Sequence, residues 1–514
     1  MDVLFINPGN AFEIYQDLAN DYSAIEPPTW ALLLAESCRS SGYKVGLLDV
    51  NAERLGSEEA LSRVKALNPR LICFVVYGQN VNAGTVGMSG AVKLSSHLKA
   101  SGVNTPIAFI GSYVQALPKK VLTDEASIDF IFMNEGLYAL KNILALPIID
   151  FKNLDSIKGI GWRKNGQVVL NSPERVVPTE RMDIDLPGYA WDLLPQRNKP
   201  FDLYRAPLWH AEYDHAKRSP YAAIQTSIGC MFACNFCMIN IINRNDNDEV
   251  GVAGNYSSMR FWSPEFIIKE FDKLVSMGVE TIRIVDEMFL LNKKYYKPLC
   301  EILRDRGYGK SLRMWAYSRV DTIANPELLK LVKDAGIKWL CLGIESGDRN
   351  VRLEVSKGKF QDTDIPKVIE HVHNAGIQVL ANYIFGLPGD SAESMQKTLD
   401  LSLELCTAGW NAYSAMPLPG SQLYKIALEK NQALPETYSA FSFHAYNTTP
   451  LPTELLSSVE ILRFRDDAYL KYHTNEKFLA KIKDLFGQPA VNNILEMTKI
   501  KLKRKIIIDH DAAI

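Results

Sequence analysis

Residues 227–240 read SIGCMFACNFCMIN and set three of the chain's 8 cysteines, Cys230, Cys234 and Cys237, within eight residues of one another. Free thiols at this spacing are rarely packing residues, and soft thiolate ligands suit zinc or an iron–sulfur centre. Structural zinc takes four ligands, commonly as two pairs. No fourth cysteine lies nearby, the next downstream being Cys300, although His210 and His215 upstream could complete a zinc site. Three thiolates on a four-iron cluster leave one iron open to a small molecule, which is a catalytic arrangement.

Outward from this motif, strand and helix alternate from 220 to about 425. Apolar runs at 222–225, 281–285, 313–316, 339–343, 378–385 and 411–415 read as strands, and 263–277, 293–306, 326–335, 365–375 and 391–408 as helices. Six β/α units with no closing seventh or eighth predict an open, partial barrel. Upstream, residues 1–140 carry strand patterns at 3–7, 45–50, 71–77, 107–110 and 130–133, with helical patterns at 29–40, 57–67, 87–99 and 114–124 between them. That alternation predicts a doubly wound parallel sheet, whose ligand loops follow the strand ends. No GxGxxG follows the first strand, so a dinucleotide fingerprint is absent. Residues 141–219 read as a connector containing a hairpin at 159–169 with Asn165-Gly166 at its turn, and 426–514 read as mainly helical.

The 514 residues are about three domains' worth of chain. Lys and Arg (57) nearly balance Asp and Glu (59), which removes the electrostatic argument for a nucleic-acid binder. Eight cysteines are too few for a disulfide scaffold at this length. Asp2 and the short run Val3–Ile6 do not make a secretory signal, and no stretch reaches the roughly 18 apolar residues of a membrane span. The expected setting is a reducing cytoplasm. The basic tail 499–504 reads as a helix end with a solvated face.

The CxxxCxFC pattern, with Phe236 before Cys237, resembles the radical S-adenosylmethionine superfamily. The resemblance implies a [4Fe-4S] cluster on Cys230, Cys234 and Cys237, with S-adenosylmethionine on the open iron and cleaved to a 5'-deoxyadenosyl radical. It further implies cofactor contacts at Asp286 and Glu287 after the second strand, at Glu345 and Ser346 in the string GIESG, and at Phe385 and Gly386 in YIFGLPG. Arg319 and Lys357 stand where a basic group could meet the methionine carboxylate; a helix-capping role for Asp286 and a solvated role for the two cations are equally open. An electron from a flavodoxin or ferredoxin is implied as well.

A doubly wound domain ahead of such a core resembles the cobalamin-binding subgroup of that superfamily. The matching strings place cobalamin contacts at Asn7, Trp30, Tyr77, Gly78, Gln79, Asn80, Gly111, Ser112, Tyr113, Glu135 and Gly136. The axial-histidine motif DxHxxG is absent, and the N-terminal domain's only histidine, His97, falls in a helical pattern. Asn134 replaces the first glycine of the subgroup's GEG. The implied architecture is α/β: an N-terminal doubly wound Rossmann-like cobalamin-binding domain (1–140), a connector (141–219), a central partial (β/α)6 barrel radical core (220–425) and a mainly helical C-terminal region (426–514). The implied reaction is methylation of an unactivated carbon through a 5'-deoxyadenosyl radical and methylcobalamin. Cyclisation, rearrangement, dehydration or oxidation without methyl transfer is the alternative. The string FSFHAYN (441–447) offers His444 and Tyr446 as acid–base groups, against a plain packed loop. Small-metabolite, lipid, sugar and peptide substrates all remain open.

Overall fold

The computed structural model describes residues 1–323, 326–356 and 363–513. The first sheet contains β1 (Val3–Asn7), β2 (Val45–Asp49), β3 (Leu71–Val76), β4 (Ile107–Gly111) and β5 (Phe130–Phe132), followed by the hairpin β6 (Ile160–Lys164) and β7 (Gln167–Leu170). Their order is β2-β1-β3-β4-β5-β6-β7, so the direction of winding reverses between β1 and β3. The first five strands are parallel, and β6 runs antiparallel to β5. Strand β3 is LICFVV and every residue is buried, as expected for a parallel strand covered by helices on both faces. The hairpin therefore extends the first sheet rather than standing in a separate connector.

The second sheet is formed by β8 (Tyr221–Ile224), β11 (Thr281–Ile284), β12 (Arg313–Arg319), β13 (Ile337–Glu345), β14 (Gln378–Phe385) and β15 (Gly409–Ser414), all parallel. Each strand lies beside its predecessor, so the sheet curls one way, and its outer strands β8 and β15 do not pair with each other. Between β8 and β11 lies a two-stranded antiparallel ribbon, β9 (Ser227–Cys230) with β10 (Ser258–Phe261). Sequence patterning misses this ribbon because β9 runs straight on from β8 and contains Gly229 at φ +88°, a position only glycine takes without strain.

Two buried ion pairs join the N-terminal sheet to the barrel: Glu26 with Arg283 at 2.5 Å, and Glu135 with Arg260 at 2.7 Å. The helix expected over 114–124 is broken into Ser112–Ala116 and Pro118–Asp124, because Pro118 starts a new first turn. At the C-terminus, Arg504 is not part of a solvated face. It is 3% exposed, forks onto Asp466 at 2.9 Å and donates to the Phe443 carbonyl at 2.6 Å. Among the described residues no helix is long and apolar enough to cross a membrane.

Candidate active site

Cys230 ends β9, and Cys234 and Cys237 follow in the loop that leaves it. Asn240 braces that loop: its Oδ1 accepts from the Cys230 N–H at 2.8 Å, and its Nδ2 donates to the Cys230 carbonyl at 2.9 Å and the Phe232 carbonyl at 3.2 Å. Burial pushes the Cys230 thiol up to about 12 and the Cys234 thiol to about 11. A bound cation reverses that balance by stabilising thiolate, so loading the site releases protons.

All three cysteines line a cavity of about 860 Å³ inside the curled sheet. Phe236, Glu287, Arg319 and Glu345 line it too, with Tyr317, Asn382 and Tyr413 further along the strands. Glu345 ends β13 with φ +67°, a left-handed conformation that a non-glycine residue adopts at a cost and that marks a functional position. The register between β13 and β14 shifts at this point, between Gly343 and Glu345. Burial raises the carboxyls of Glu287 and Glu345 to about 7 each. Arg319 lies 3.8 Å over the Phe232 ring and forks onto Asp321 with two bonds of 2.6 Å.

Other sequence-predicted residues sit elsewhere. Asp286 accepts from Thr226 N–H at 2.6 Å, Thr226 Oγ1 at 2.7 Å and Ser227 Oγ at 2.5 Å, so its carboxylate fixes the turn from β8 to β9. Ser346 is fully buried against Thr398 and does not line the cavity. Phe385 packs edge-on against Phe464, and Gly386 donates its N–H to Asp390, both away from the cavity lining. His444 lines the cavity beside Tyr15, and burial holds its imidazole far below the usual range, in the neutral form. Tyr446 is 45% exposed on the outer surface, where it cannot serve as an acid–base group for this cavity. Lys357 lies outside the described residues.

Two family descriptions match the chain: Radical SAM superfamily over residues 224–402, and B12 binding domain over residues 15–144. The chain is a radical S-adenosylmethionine enzyme of the group that carries a B12-binding domain. An uncharacterized methyltransferase of Pyrococcus horikoshii is 26% identical, over 90% of each chain. The anaerobic magnesium-protoporphyrin IX monomethyl ester cyclase of Rubrivivax gelatinosus is 23% identical over 93% of this chain and 78% of its own. Among solved structures, the cobalamin-dependent radical enzyme OxsB, with aqua-cobalamin and S-adenosylmethionine bound, shares the fold with a TM-score of 0.65 at 14% identity, over 97% of this chain and 72% of that one.

In this radical S-adenosylmethionine enzyme the B12-binding domain meets the cavity through the loop after β3. Gln79, Asn80, Asn82 and Ala83 line the same space as the three cysteines. Trp30, Gly78, Gln79 and Asn80 also border a smaller void toward Asp286 and Glu287. Tyr77 is buried, packs against Trp30 at 5.3 Å and accepts from Gln115 Nε2. At the C-terminal ends of β3 and β4, Thr85 Oγ1, Ser112 Oγ and Gln115 Oε1 are buried with no partner among the described residues. Those orphaned groups, beside a glycine-only edge at Gly84 and Gly111, fit a polar ligand at this domain edge.

Further sequence-predicted residues are committed to the protein itself. Asn7 donates to Asp49 at 2.8 Å. Tyr113 meets Tyr438 edge-on at 5.0 Å. Glu135 pairs with Arg260, while Gly136 takes φ +75° against Phe132 and Ile110. His97 lies 3.2 Å from Glu58, at the end of its helix. Sequence reasoning missed Glu26, Arg283, Asn82 and Arg465 as cavity-lining groups. The one available signal was Arg283, a charge in the middle of an otherwise apolar parallel strand.

Proposed function

We propose that the protein is a cobalamin-dependent C-methyltransferase that acts on an unactivated carbon of a small-molecule substrate. The observation that carries this reading is that the cysteine loop and the Gln79–Ala83 loop of the B12-binding domain line one cavity of about 860 Å³. Two reactive groups held against one space can address one carbon. When bound, the cluster with S-adenosylmethionine supplies the hydrogen-abstracting radical and cobalamin carries the methyl group.

The chain's own residues divide the remaining tasks. Cys230, Cys234 and Cys237 hold the cluster; Glu345 and Glu287 take hydrogen bonds from S-adenosylmethionine, and Arg319 faces its carboxylate. Gln79 and Asn80 support the corrin, with Ser112 and Thr85 toward its polar tail. His444, held neutral, accepts a hydrogen bond or a proton from the substrate side. The cavity's buried guanidiniums are already matched within the protein, Arg283 by Glu26 and Arg465 by Asp466. A strongly anionic substrate finds no spare buried cation there, so the reading favours a neutral one. The setting is a reducing cytoplasm, with a flavodoxin or ferredoxin as electron donor.

The likeness to a cyclase over nearly the whole chain favours one second reading, radical chemistry without methyl transfer. The experiment is anaerobic reconstitution with iron, sulfide and cobalamin. Methyl-labelled S-adenosylmethionine and a small-molecule extract from cells lacking the protein are then added. A metabolite that gains the labelled methyl supports methyl transfer, and a metabolite consumed without gaining label contradicts it.

A further inference from the structure

The loop that carries Gln79 and Asn80 does more than line the cavity. It is rigid by construction: Gly78 takes φ +62°, and a side chain there would press on the Ala83 carbonyl at 3.0 Å. Asn80 then caps the single turn Val81–Ala83, its Oδ1 accepting from the Ala83 N–H at 3.1 Å. Asn82 is thereby pointed across the domain boundary at the cysteine loop. Its Oδ1 accepts from the Met238 N–H at 2.9 Å, and that bond fixes which way the amide faces. Nδ2 is left turned toward Cys237 Sγ, at 3.7 Å. Once ligated, Cys237 is a thiolate and only accepts, so the bond runs from Asn82 to sulfur.

We propose that Asn82 is a positioning residue of the B12-binding domain that sets the reduction potential of the cluster held by Cys237. A hydrogen bond into a ligating sulfur draws off electron density and favours the more negative, one-electron-reduced cluster. The electron comes from the external donor, and no proton or bond is exchanged with Asn82. Because Gln79, Asn80 and Asn82 share one braced turn, what binds against that turn is mechanically tied to the cluster. The inference rests on the reading that the three cysteines hold an iron–sulfur cluster.

The test is a redox titration of the reconstituted full-length protein, without S-adenosylmethionine or substrate, followed by the electron paramagnetic resonance signal of the reduced cluster. Asn82→Asp keeps the acceptor for Met238 and loses the donor to sulfur; Asn82→Leu loses both. Both variants are expected to hold a full complement of iron and to have lower midpoint potentials. The expected drop corresponds to about a tenfold fall in the reduced-to-oxidised ratio at fixed potential, or about 59 mV for one electron. Asn82→Asp, which adds negative charge, is expected to fall furthest. If Asn82→Leu loses iron, Asn82→Asp decides the question. A wild-type cluster with normal iron and an unmoved potential in Asn82→Asp overturns the proposal and leaves the functional reading intact. A wild-type protein that binds no iron–sulfur cluster overturns that reading itself.

Discussion

Glu26 and Arg283 form a 2.5 Å ion pair in which both side chains are 5% exposed or less. One residue belongs to the N-terminal domain and the other stands on β11 inside the barrel. Arg283 also lies over the Trp315 ring at 4.8 Å and the Tyr317 ring at 5.4 Å, so this pair anchors the wall of the cavity to the domain that closes it.

Removing one partner strands a buried charge. Glu26→Gln is expected to destabilise the protein by about 3 kcal/mol. The combined change of Glu26→Leu and Arg283→Met is expected to recover much of that loss, because no charge is then left unpaired. Chemical denaturation of the three proteins checks this.

The cysteines make a sharper prediction about composition than about stability. Cys230→Ala, Cys234→Ala and Cys237→Ala are each expected to leave the chain folded and to remove stoichiometric iron after reconstitution. Circular dichroism and iron analysis on the same samples separate loss of ligand from loss of fold.

Asp49 carries a pH prediction. It is fully buried, and burial raises its carboxyl from 3.8 to about 6 despite bonds from Asn7, Tyr204 and the Ala52 N–H. Between those two values the folded chain binds more protons than the unfolded one, so this site's share of stability falls as pH rises from about 4 to 6. The amide introduced by Asp49→Asn does not titrate. The penalty of Asp49→Asn relative to wild type is therefore expected to shrink over that window and level off above it. Denaturation midpoints measured from pH 4 to pH 7 read the slope directly.

Two neighbouring candidates separate cleanly. Tyr446→Ala is expected to change stability by no more than about 0.5 kcal/mol and to leave activity alone, since the ring stands at the surface. His444→Ala opens the cavity beside Tyr15 and is expected to spare both iron content and substrate-free cleavage of S-adenosylmethionine while weakening product formation. Parallel assays of 5'-deoxyadenosine and methylated product distinguish the two.

The alternation of the two α/β units was legible because parallel strands covered on both faces are unbroken apolar runs, as in Leu71–Val76. The cysteine loop was legible because its chemistry requires a fixed local spacing. Contacts between distant segments left no such mark. Nothing local distinguishes Glu135, committed to Arg260, from a residue that meets a cofactor, and Asp286 looks like a site carboxylate until its three bonds to Thr226 and Ser227 are seen. Ser346 was misjudged because β13 shifts register beside it: Glu345 turns into the cavity and Ser346 into the core. Asn82 escaped notice because its partner lies 155 residues away.

The most direct measurement is the fate of the methyl group of S-adenosylmethionine on anaerobically purified, reconstituted protein, with bound cobalamin quantified in the same sample. The account predicts one cobalamin per chain that acquires the labelled methyl and then yields it to a substrate carbon. A protein with an intact cluster that cleaves S-adenosylmethionine but neither retains cobalamin nor moves the label would contradict it.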